Sequence, residues 1–461
     1  MPRTAPEPGP LSRLTARFVS ARPEELRALW LAFVYYFLVL TSYYILRPIR
    51  DEMAVAGGVE NIPLLWTGTL VAMLLVQPLF ALLVARFPRR RFVPWTYHFF
   101  GLNLLVFFLL LRTLDPGQGI WIGRVFYVWV AVFNLFITSV FWAFMVDIFG
   151  EAQSKRLFGF IAAGGSTGAI LGSSITAFLA VPLGPINLLI ASGLILELAV
   201  LCVLVLGRIQ AELESEAPAA PPRDAPAFQA APARGASADE AVIGGSAFAG
   251  ITHALRNPYL LAIAGFIILF TIGSSFLYIQ QAELVGRAFA DRAARTAFFA
   301  KVDLATNVLT FFGQVYLYAR LMRWLGVPRM LALLPILSVI GFGALALAPT
   351  LGVLVVFNVL RRAGNFAVAR PTREVLYTVI PREDKYKAKS FIDTFVYRLG
   401  DQLGAWGQAG LGLLGLGVAG IALVAVPLNL IWLGLALWLG WQQVRISRAR
   451  AARAEAAPAA P

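Results

Sequence analysis

The chain has 461 residues, of which 59% are hydrophobic and only 14% are charged, and its mean hydropathy is +0.73. Soluble domains carry roughly 25% charged residues, so this composition excludes a large water-soluble domain and predicts a polytopic protein embedded in a lipid bilayer. A net charge of +14 would suggest a nucleic-acid partner in a soluble protein. Here the basic residues concentrate in short loops between apolar runs, and we expect no nucleic-acid partner.

Metal or nucleophilic chemistry has little support in the sequence. Cys202 is the only cysteine, and the two histidines, His98 and His253, stand far apart. This excludes an intrachain disulfide and a multi-cysteine metal site, and no nucleophile stands beside a base. We expect a protein that is not an enzyme and that holds no metal and no cofactor.

Twelve apolar runs follow one another along the chain, each long enough to cross a hydrocarbon core of about 30 Å as a helix. The predicted fold class is therefore an all-α polytopic membrane protein with about 12 transmembrane helices. The predicted spans are 28–46, 62–86, 92–111, 120–149, 157–181, 184–207, 259–282, 297–322, 329–348, 351–369, 390–414 and 417–443.

A stretch rich in Pro, Ala and charged residues separates the first six runs from the last six, and its composition is typical of a flexible linker. Loops also recur at matching places in the two sets: ARFPRRRFVP corresponds to ARLMRWLGVPRM, and EAQSKRLFGFIAAGG to EDKYKAKSFIDTFVYRLG. Parallel six-helix repeats are the plan of the major facilitator fold, in which substrate binds near the midplane between two halves. The predicted domains are a cytoplasmic tail (1–27), a six-helix bundle (28–207), a cytoplasmic linker (208–257), a second six-helix bundle (258–444) and a cytoplasmic tail (445–461).

The distribution of Arg and Lys predicts the orientation. With a cytoplasmic amino terminus, the basic loops at 86–91, 155–156, 320–329 and 382–389 all face the cytoplasm. The loops VPLGPIN, APTLG and LGLGVAG on the other side contain no basic residue, as the positive-inside rule requires. We expect a monomeric, multi-pass protein of the bacterial plasma (inner) membrane with both termini in the cytoplasm.

Ionisable residues at membrane depth indicate functional sites, because they are costly there unless they pair or line water. In a major facilitator fold, spans one, four, seven and ten line the cavity, and three of these four carry arginine here. Guanidinium groups match carboxylate or phosphate with two parallel hydrogen bonds, so surplus arginine predicts an anionic small-molecule substrate. The predicted substrate-binding residues are Arg50, Arg124, Lys301, Arg370, Arg373 and Glu374.

A second set of charges predicts gates or structural ion pairs. Three acid–base neighbours fit ion pairs that hold helices together at least as well as they fit a substrate site: Arg50 with Asp51, Arg373 with Glu374, and Arg398 with Asp401. On the cytoplasmic side, salt bridges between the halves would close the inner mouth, although topology alone also explains the lysines. The predicted gating or ion-pair residues are Arg47, Asp51, Asp147, Lys155, Arg156, Lys385, Lys387, Lys389, Asp393, Arg398 and Asp401.

Two features of the first half predict packing or proton transfer. Gly164, Gly168 and Gly172 recur at four-residue spacing, which predicts close approach of a neighbouring helix. Glu197, in the sixth span, fits either a proton relay or a structural hydrogen bond.

Three segments resemble the ATP/ADP translocase family of plastids and obligate intracellular bacteria, in the same order. LRPIRDEMAVAGGVENIPLL resembles that family's L-R-x-x-K-D-x-L-V-V followed by I-P-F-L. FWAFMVDIFGEAQSKRLFGFIAAGG is similar to F-W-x-F-A-N-x-x and E-A-K-R-F-Y-P-L-F-G. RPTREVLYTVIPREDKYKAKSFIDTFVYRLG is similar to D-P-T-K-E-M-x-Y-I-P-L, K-x-K-x-K-A-x-x-D and R-x-G-K. The resemblance covers most of the chain and both halves.

The resemblance implies a major facilitator fold that exchanges one adenine nucleotide strictly for another. Arg50 and Arg373 stand where the family has lysines implicated in handling the nucleotide phosphates. The fourth span lacks the family's acidic residue, and Asn134, its nearest polar residue, becomes a further substrate-binding candidate. At the acidic element of the seventh span stand Gln280 and Gln281, unless Glu283 takes its place. Candidates for stacking a base are Tyr43, Tyr44, Trp142 and Tyr377.

The sequence predicts a secondary active transporter that exchanges anionic nucleotides such as ATP and ADP, or a related phosphorylated or organic anion, by alternating access. Two other classes of function stay open. A proton-coupled facilitator of another organic anion or amphipathic solute would cycle a proton on Glu374, Asp393 or Glu197, whose carboxyl group must titrate near the working pH. A membrane scaffold would show no flux of any solute.

Overall fold

The computed structural model describes residues 22, 25–86, 89–149, 151–216, 257–380, 389 and 391–456, and these residues contain helices and no strand. The helices are α1 (Leu26–Ala56), α2 (Ile62–Arg86), α3 (Arg89–Thr113), α4 (Pro116–Ile148), α5 (Glu151–Leu183), α6 (Leu188–Glu216), α7 (Pro258–Ala288), α8 (Arg292–Phe312), α9 (Tyr318–Leu347), α10 (Leu351–Gly364), α11 (Arg370–Leu376), α12 (Tyr397–Leu413) and α13 (Val418–Ala456). Most of the predicted linker and the first 21 residues lie outside the described residues. The predicted division into domains stays a prediction.

Ten segments of the described chain are long and apolar enough to cross a membrane. One of them, Arg292–Leu347, has 56 residues and is broken at Gly326, whose φ of 65° lies in the left-handed region that glycine tolerates. At 1.5 Å per residue it is more than twice as long as the hydrocarbon core of ~30 Å is thick, so it provides two spans. α12 is a further helix of 17 residues. The predicted all-α membrane fold is confirmed.

Three π-helical turns interrupt spans of the second half. Gly313–Leu317 joins α8 to α9, Asn365–Ala369 joins α10 to α11, and Ile392–Val396 leads into α12. Such turns re-aim the side chains that follow them and are frequent at functional sites.

The predicted end of the first span at residue 46 is wrong, because α1 continues through Pro48 to Ala56. Charged residues from Arg47 to Glu52 end the apolar run in the sequence. In the structure Arg47, Asp51 and Glu52 have polar partners on other helices, and Arg50 pairs with Asp51, so the helix continues without exposing these charges to lipid. Arg50 and Asp51 therefore lie within a helix.

Each half packs its own helices on a glycine contact. On α5, a Cβ added at Gly168 would lie 2.2 Å from the carbonyl oxygen of Phe37 on α1, and Gly164 and Gly172 face the same helix as closely. In the second half, Gly400 and Gly404 of α12 contact α7 in the same way. The predicted close approach at the first-half glycines is confirmed.

The two halves meet along α5 with α8 and along α2 with α12. We call the face of the bundle where α1 begins and α13 ends the terminal face, and the face that carries the α1–α2 and α7–α8 loops the opposite face. An apolar cluster joins the halves towards the opposite face and includes Ala54, Leu65, Tyr127, Ile279 and Ala405. Between α2 and α12, the Thr67 hydroxyl donates to Gln402 Oε1 at 3.0 Å. The described structure is therefore closed at the opposite face.

Candidate substrate chamber

Three adjoining cavities, which we call together the chamber, lie where the halves meet: two are lined by both halves, and the third is lined by the second half alone. Their volumes are about 210 Å³ for the Arg361 cavity, about 290 Å³ for the Arg373 cavity and about 390 Å³ for the Arg50 cavity. Tyr397 lines all three. Pockets for small-molecule ligands typically measure ~300–1,000 Å³, so the chamber has room for a solute of nucleotide size.

Positive charge is in surplus in the chamber. Seven arginines line it, namely Arg47, Arg50, Arg361, Arg362, Arg370, Arg373 and Arg398. The acidic side chains are five, namely Asp51, Asp303, Glu374, Asp393 and Asp401. A cleft with surplus charge of one sign and low-dielectric walls concentrates solutes of the opposite charge.

The Arg50 cavity contains the arginine that the resemblance assigns to phosphate binding. Arg50 donates from Nε at 3.0 Å and from a terminal nitrogen at 2.7 Å to one oxygen of Asp51. Its guanidinium carbon lies 5.1 Å from the ring centroid of Tyr127, a cation–π distance. Asn134 lines the same cavity. Arg50 is thus part of the chamber wall and is ion-paired within its own helix.

A chain of hydrogen bonds connects Asp51 to the other half of the protein. Trp66 donates its indole N–H to the Tyr127 hydroxyl at 2.8 Å, and the hydroxyls of Tyr127 and Tyr278 lie 3.2 Å apart. Tyr278, on α7, donates to Asp51 Oδ1 at 2.9 Å. These bonds hold four helices from both halves together at the wall of the chamber.

Asp303 forms an ion-pair cluster that also crosses between the halves. Its carboxylate lies 2.6 Å from a terminal nitrogen of Arg362 on α10 and 3.6 Å from Nε of Arg47 on α1. The Asp303 side chain is 3% exposed, whereas each arginine side chain is 19% exposed. The carboxylate is therefore sequestered, and both guanidinium groups keep a surface open to the chamber.

Arg361, the neighbour of Arg362, is bound differently. It is 2% exposed and donates to Ser338 Oγ at 3.0 Å, Ser274 Oγ at 2.8 Å and the Phe270 carbonyl at 3.0 Å. Its guanidinium also lies against the rings of Phe270 and Trp432. In the described part of the chain every recorded partner of Arg361 is neutral, so this positive charge stays uncompensated in the chamber wall.

The Arg373 cavity contains the second arginine of the resemblance. Arg373 lies 3.5 Å from Asp393, while Glu374 accepts from the Lys389 ammonium at 2.5 Å. The predicted pairing of Arg373 with Glu374 is therefore wrong, because the two side chains bind different partners, Asp393 and Lys389. Arg398 and Asp401 do pair, at 3.6 Å. Arg370 is exposed and lines the same cavity.

Two predicted substrate-binding residues lie away from the chamber. Arg124 donates to the Gly57 carbonyl at 3.0 Å and lies 4.5 Å from the ring centroid of Trp121, which ties α4 to the α1–α2 turn. Lys301 is exposed on α8 and lines none of the three cavities. It is two positions from Asp303, a rotation of about 200° on a helix, so only one of the two faces the chamber.

The predicted gate at the terminal face stays a prediction. Lys385 and Lys387 lie outside the described residues, as does the side chain of Lys155. Asp147 is exposed near the end of α4. Arg156 pairs at 2.9 Å with Glu25, a residue of the same half.

An ion-pair cluster at the opposite face was not predicted. Glu52 accepts from Arg292 at 3.0 and 3.1 Å and from Arg295 at 2.9 Å. The three residues join the end of α1 to the start of α8, and the Glu52 side chain is 2% exposed. Glu52 follows the predicted first span and both arginines precede the predicted eighth span, and nothing in the sequence indicated that they meet.

Several aromatic residues of the chamber were also missed. Trp66, Tyr127, Tyr278 and Tyr397 line it, and each places a polar atom on a ring within an apolar span, which is the signal that could have identified them. Of the predicted base-stacking candidates, Tyr43 lines the Arg50 cavity. The other three, Tyr44, Trp142 and Tyr377, line none of the three cavities.

Glu197 lies far from these cavities. Its carboxylate is 2.7 Å from Nδ1 of His98 on α3, and the two side chains are 41% and 55% exposed. Neither residue lines the chamber, which favours the structural alternative for Glu197. Among the residues that the structure describes, no group of three or more His, Cys, Asp or Glu could hold a metal ion.

Comparison with known proteins agrees with this architecture. The sequence model of the Major Facilitator Superfamily matches residues 29–397. A search of curated proteins found no significant match. The fold is similar to that of a bacterial homologue of the human lysosomal transporter Spinster, solved in an inward-facing and unoccupied conformation, with a TM-score of 0.54, 12% identity, and coverage of 93% of this chain and 99% of that one.

Two other solved transporters have similar folds. The POT family transporter PepTSo aligns with a TM-score of 0.53 and 15% identity over 92% of this chain and 98% of its own. The nucleoside transporter NupG aligns with a TM-score of 0.51 and 13% identity over 92% of this chain and 99% of its own. At such low identity these similarities establish the fold alone. The chain belongs to the Major Facilitator Superfamily, and it has the transporter fold of that family.

Proposed function

We propose that this protein is a secondary active transporter that exchanges anionic, phosphorylated solutes of nucleotide size by alternating access. The observation that carries the proposal is the arginine surplus of the chamber, together with its position between the halves. In this fold, substrate binds between the halves near the midplane, and each half rotates against the other around that site.

The arrangement of the arginines supports an extended anion. Arg50 belongs to the first half, and Arg370 and Arg373 belong to the second, in neighbouring cavities that share Tyr397 and Arg398. A substrate with several negative charges that occupies both cavities would contact both halves at once. Guanidinium groups bind phosphate with two parallel hydrogen bonds, which gives orientation as well as affinity.

The nucleotide identity of this anion rests on the sequence resemblance. Arg50 and Arg373 stand at the family's phosphate-handling lysines, and Trp66, Tyr278 and Tyr397 provide ring faces that could stack a base. Gln281 stands at the acidic element of the family's seventh span, but its side chain is neutral, and it accepts a hydrogen bond from the amide of Asn358. The site is therefore more positive than the family pattern alone would make it.

Proteoliposomes containing the purified protein test the proposal. We expect labelled ADP to enter only when unlabelled nucleotide is present inside, and we expect Arg373→Gln to reduce this entry at least tenfold. Arg448→Gln, which changes an exposed arginine near the end of α13, should transport at the wild-type rate. Absence of flux with ATP, ADP, inorganic phosphate and organic anions would overturn the proposal and leave a scaffold role.

A proton-coupled carrier of another organic anion is the second candidate, and one observation favours it. Glu374 and Asp393, both partly exposed, line the Arg373 cavity beside its arginines. A carboxyl group in such a place can exchange a proton with the solution as the chamber opens. Uptake driven by a pH gradient without internal nucleotide would support this candidate against exchange.

A further inference from the structure

The contacts of Asp303 suggest a role that is separate from fold stability. The carboxylate lies between an arginine of the first half, Arg47, and an arginine of the second, Arg362. In the described part of the chain its Oδ2 atom accepts no hydrogen bond, although it is buried. A structural ion pair normally has its oxygens hydrogen-bonded, because an unsatisfied buried carboxylate oxygen is costly.

The same two arginines are available to a ligand. Arg47 lines both the Arg361 and the Arg50 cavity, and Arg362 lines the Arg361 cavity. A guanidinium has five N–H donors, and the recorded contacts with Asp303 use one nitrogen of each arginine. An anionic group in the chamber would therefore bind the guanidinium groups that Asp303 binds, and it would compete with Asp303 for them.

We propose that Asp303 is an internal counter-ion that takes the place of the substrate anion when the chamber is empty. Its position between the halves allows its negative charge to compensate one of the two positive charges of Arg47 and Arg362 while the halves close on one another. An empty chamber with uncompensated guanidinium charge cannot easily pass through a closed state in a low dielectric. With Asp303 present, the empty carrier can reorient, so the protein carries out slow net transport in addition to exchange. This inference rests on the proposed transport of an anion.

Substitution of Asp303 separates the two modes of transport. Asp303→Asn keeps the size of the side chain and removes the competing charge. We expect the ratio of net efflux of labelled ADP into nucleotide-free buffer to exchange against external ADP to fall at least tenfold. The dissociation constant of ADP in detergent should decrease several-fold, because the substrate no longer competes with a carboxylate. Asp303→Glu, which restores the charge, should restore net efflux.

Two controls keep the test interpretable. Asp115→Asn makes the same chemical change at an exposed loop residue whose side chain forms no cap bond, and it should leave both modes unchanged. If Asp303→Asn does not fold, the double variant Asp303→Asn with Arg362→Gln, which removes one charge of each sign, should keep the wild-type ratio of net efflux to exchange.

The outcomes distinguish this inference from the proposed function. Suppose that the wild-type protein exchanges ADP. If the ratio of net efflux to exchange does not fall in Asp303→Asn, or differs from the wild-type ratio in the double variant, the inference is wrong and the transport proposal stands. If the wild-type protein neither binds nor moves ADP, the transport proposal fails, and the inference fails with it. A lower ratio with tighter ADP binding in Asp303→Asn alone would support the inference.

Discussion

The two halves of the protein are packed alike but charged differently. In each, a glycine-lined helix lies against the first helix of that half, α5 on α1 and α12 on α7. The arginines do not follow this correspondence. The first half places Arg47 and Arg50 on α1, whereas the second half leaves the equivalent α7 with Ser274 and Gln281 at the chamber and places its arginines on α10, α11 and α12.

This difference separates the features that helix packing sets from the charged residues, which helix packing does not explain. Helix–helix packing within a bilayer depends on small residues and repeats wherever two helices approach closely. Charge is costly in the membrane, so it is retained only where a ligand, water or a counter-ion compensates it. The arginines of different helices converge on one chamber although the packing symmetry does not require them to, and the anion that we propose as substrate would compensate their charge.

The largest expected effect comes from breaking the shared packing. Gly168→Leu should give no monodisperse folded protein, or a Tm in detergent lower by more than 10 °C, a shift on the order of several kcal/mol, because the new side chain would collide with the backbone of α1. Gly404→Leu should do the same in the second half, where an added Cβ would lie 2.6 Å from Cβ of Ser275.

Matched controls exist on the same helices. Added Cβ atoms at Gly159 of α5 and Gly410 of α12 meet nothing within 4 Å. Gly159→Leu and Gly410→Leu should therefore leave the Tm nearly unchanged. Equal losses for all four variants, measured by size-exclusion chromatography and thermal scanning, would show that the contacts do not decide the packing.

The second prediction compares two adjacent arginines of the second half: Arg362, which pairs with a carboxylate, and Arg361, whose recorded partners are neutral. Arg362→Met removes the closer partner of Asp303 and should cost about 2 to 4 kcal/mol, somewhat less than the loss of a fully buried partner. Adding Asp303→Asn should recover at least ~1 kcal/mol, since the carboxylate no longer needs compensation. Arg361→Met should also destabilise, but Asp303→Asn should not rescue it, because the recorded partners of Arg361 are neutral.

Thermal or denaturant unfolding of the wild type, the three single variants and the two double variants measures this coupling. Equal rescue of both arginine variants by Asp303→Asn would mean that Asp303 interacts with the charges of both arginines alike and forms no specific ion pair with Arg362. Absence of rescue in both would mean that the Arg362 contact does not contribute to stability.

The sequence predicted the fold well and the site in part, and particular residues show why. Hydropathy located the spans because an apolar run of sufficient length has few alternatives in a bilayer. It placed the end of α1 wrongly, because it treats Arg50 and Asp51 as exposed charges. The sequence predicted which charged residues lie within a span, but it did not predict which side of the helix each one occupies. Lys301 and Asp303 share a span, and only Asp303 faces the chamber.

Partners across the two halves were the least predictable feature. Glu52 with Arg292 and Tyr278 with Asp51 are more than 200 residues apart in the chain, and no local pattern relates them. Such pairs depend on how the halves dock. The resemblance pointed to Arg50 and Arg373 because it compares positions, and it gave no indication that Arg47, Arg362 and Asp303 form a cluster.

The third prediction tests the closed opposite face. Glu52→Gln removes the charge that binds Arg292 and Arg295, and a loss of about 1 kcal/mol would raise the population open at that face about fivefold. With Cys202→Ser as background, Ala131→Cys places a thiol in the Arg50 cavity. The rate at which an impermeant maleimide labels this thiol from the opposite face should rise by a similar factor, about fivefold.

The control for this variant is Glu283→Gln. That carboxylate accepts from Arg287 of the same helix, so its loss should not open the face. A labelling rate that stays constant in Glu52→Gln, or rises equally in Glu283→Gln, would contradict a closing role for Glu52.

The smallest expected effect lies at the other end of the first half, where Glu25 ties the start of α1 to α5. Burial raises the pKa of this carboxyl, but hydrogen bonds from the Arg22 backbone, Gln153 and Arg156 outweigh it and hold the pKa below its ordinary value of 4.5. A carboxyl whose folded pKa is depressed stabilises the fold above its unfolded pKa, and this contribution is lost as the pH falls through the lower, folded value. Glu25→Gln should therefore cost about 1 kcal/mol at neutral pH and almost nothing at strongly acidic pH. A Tm difference between wild type and variant that persists unchanged from pH 7 into the acid range would show that the ionised carboxylate of Glu25 does not stabilise the first half.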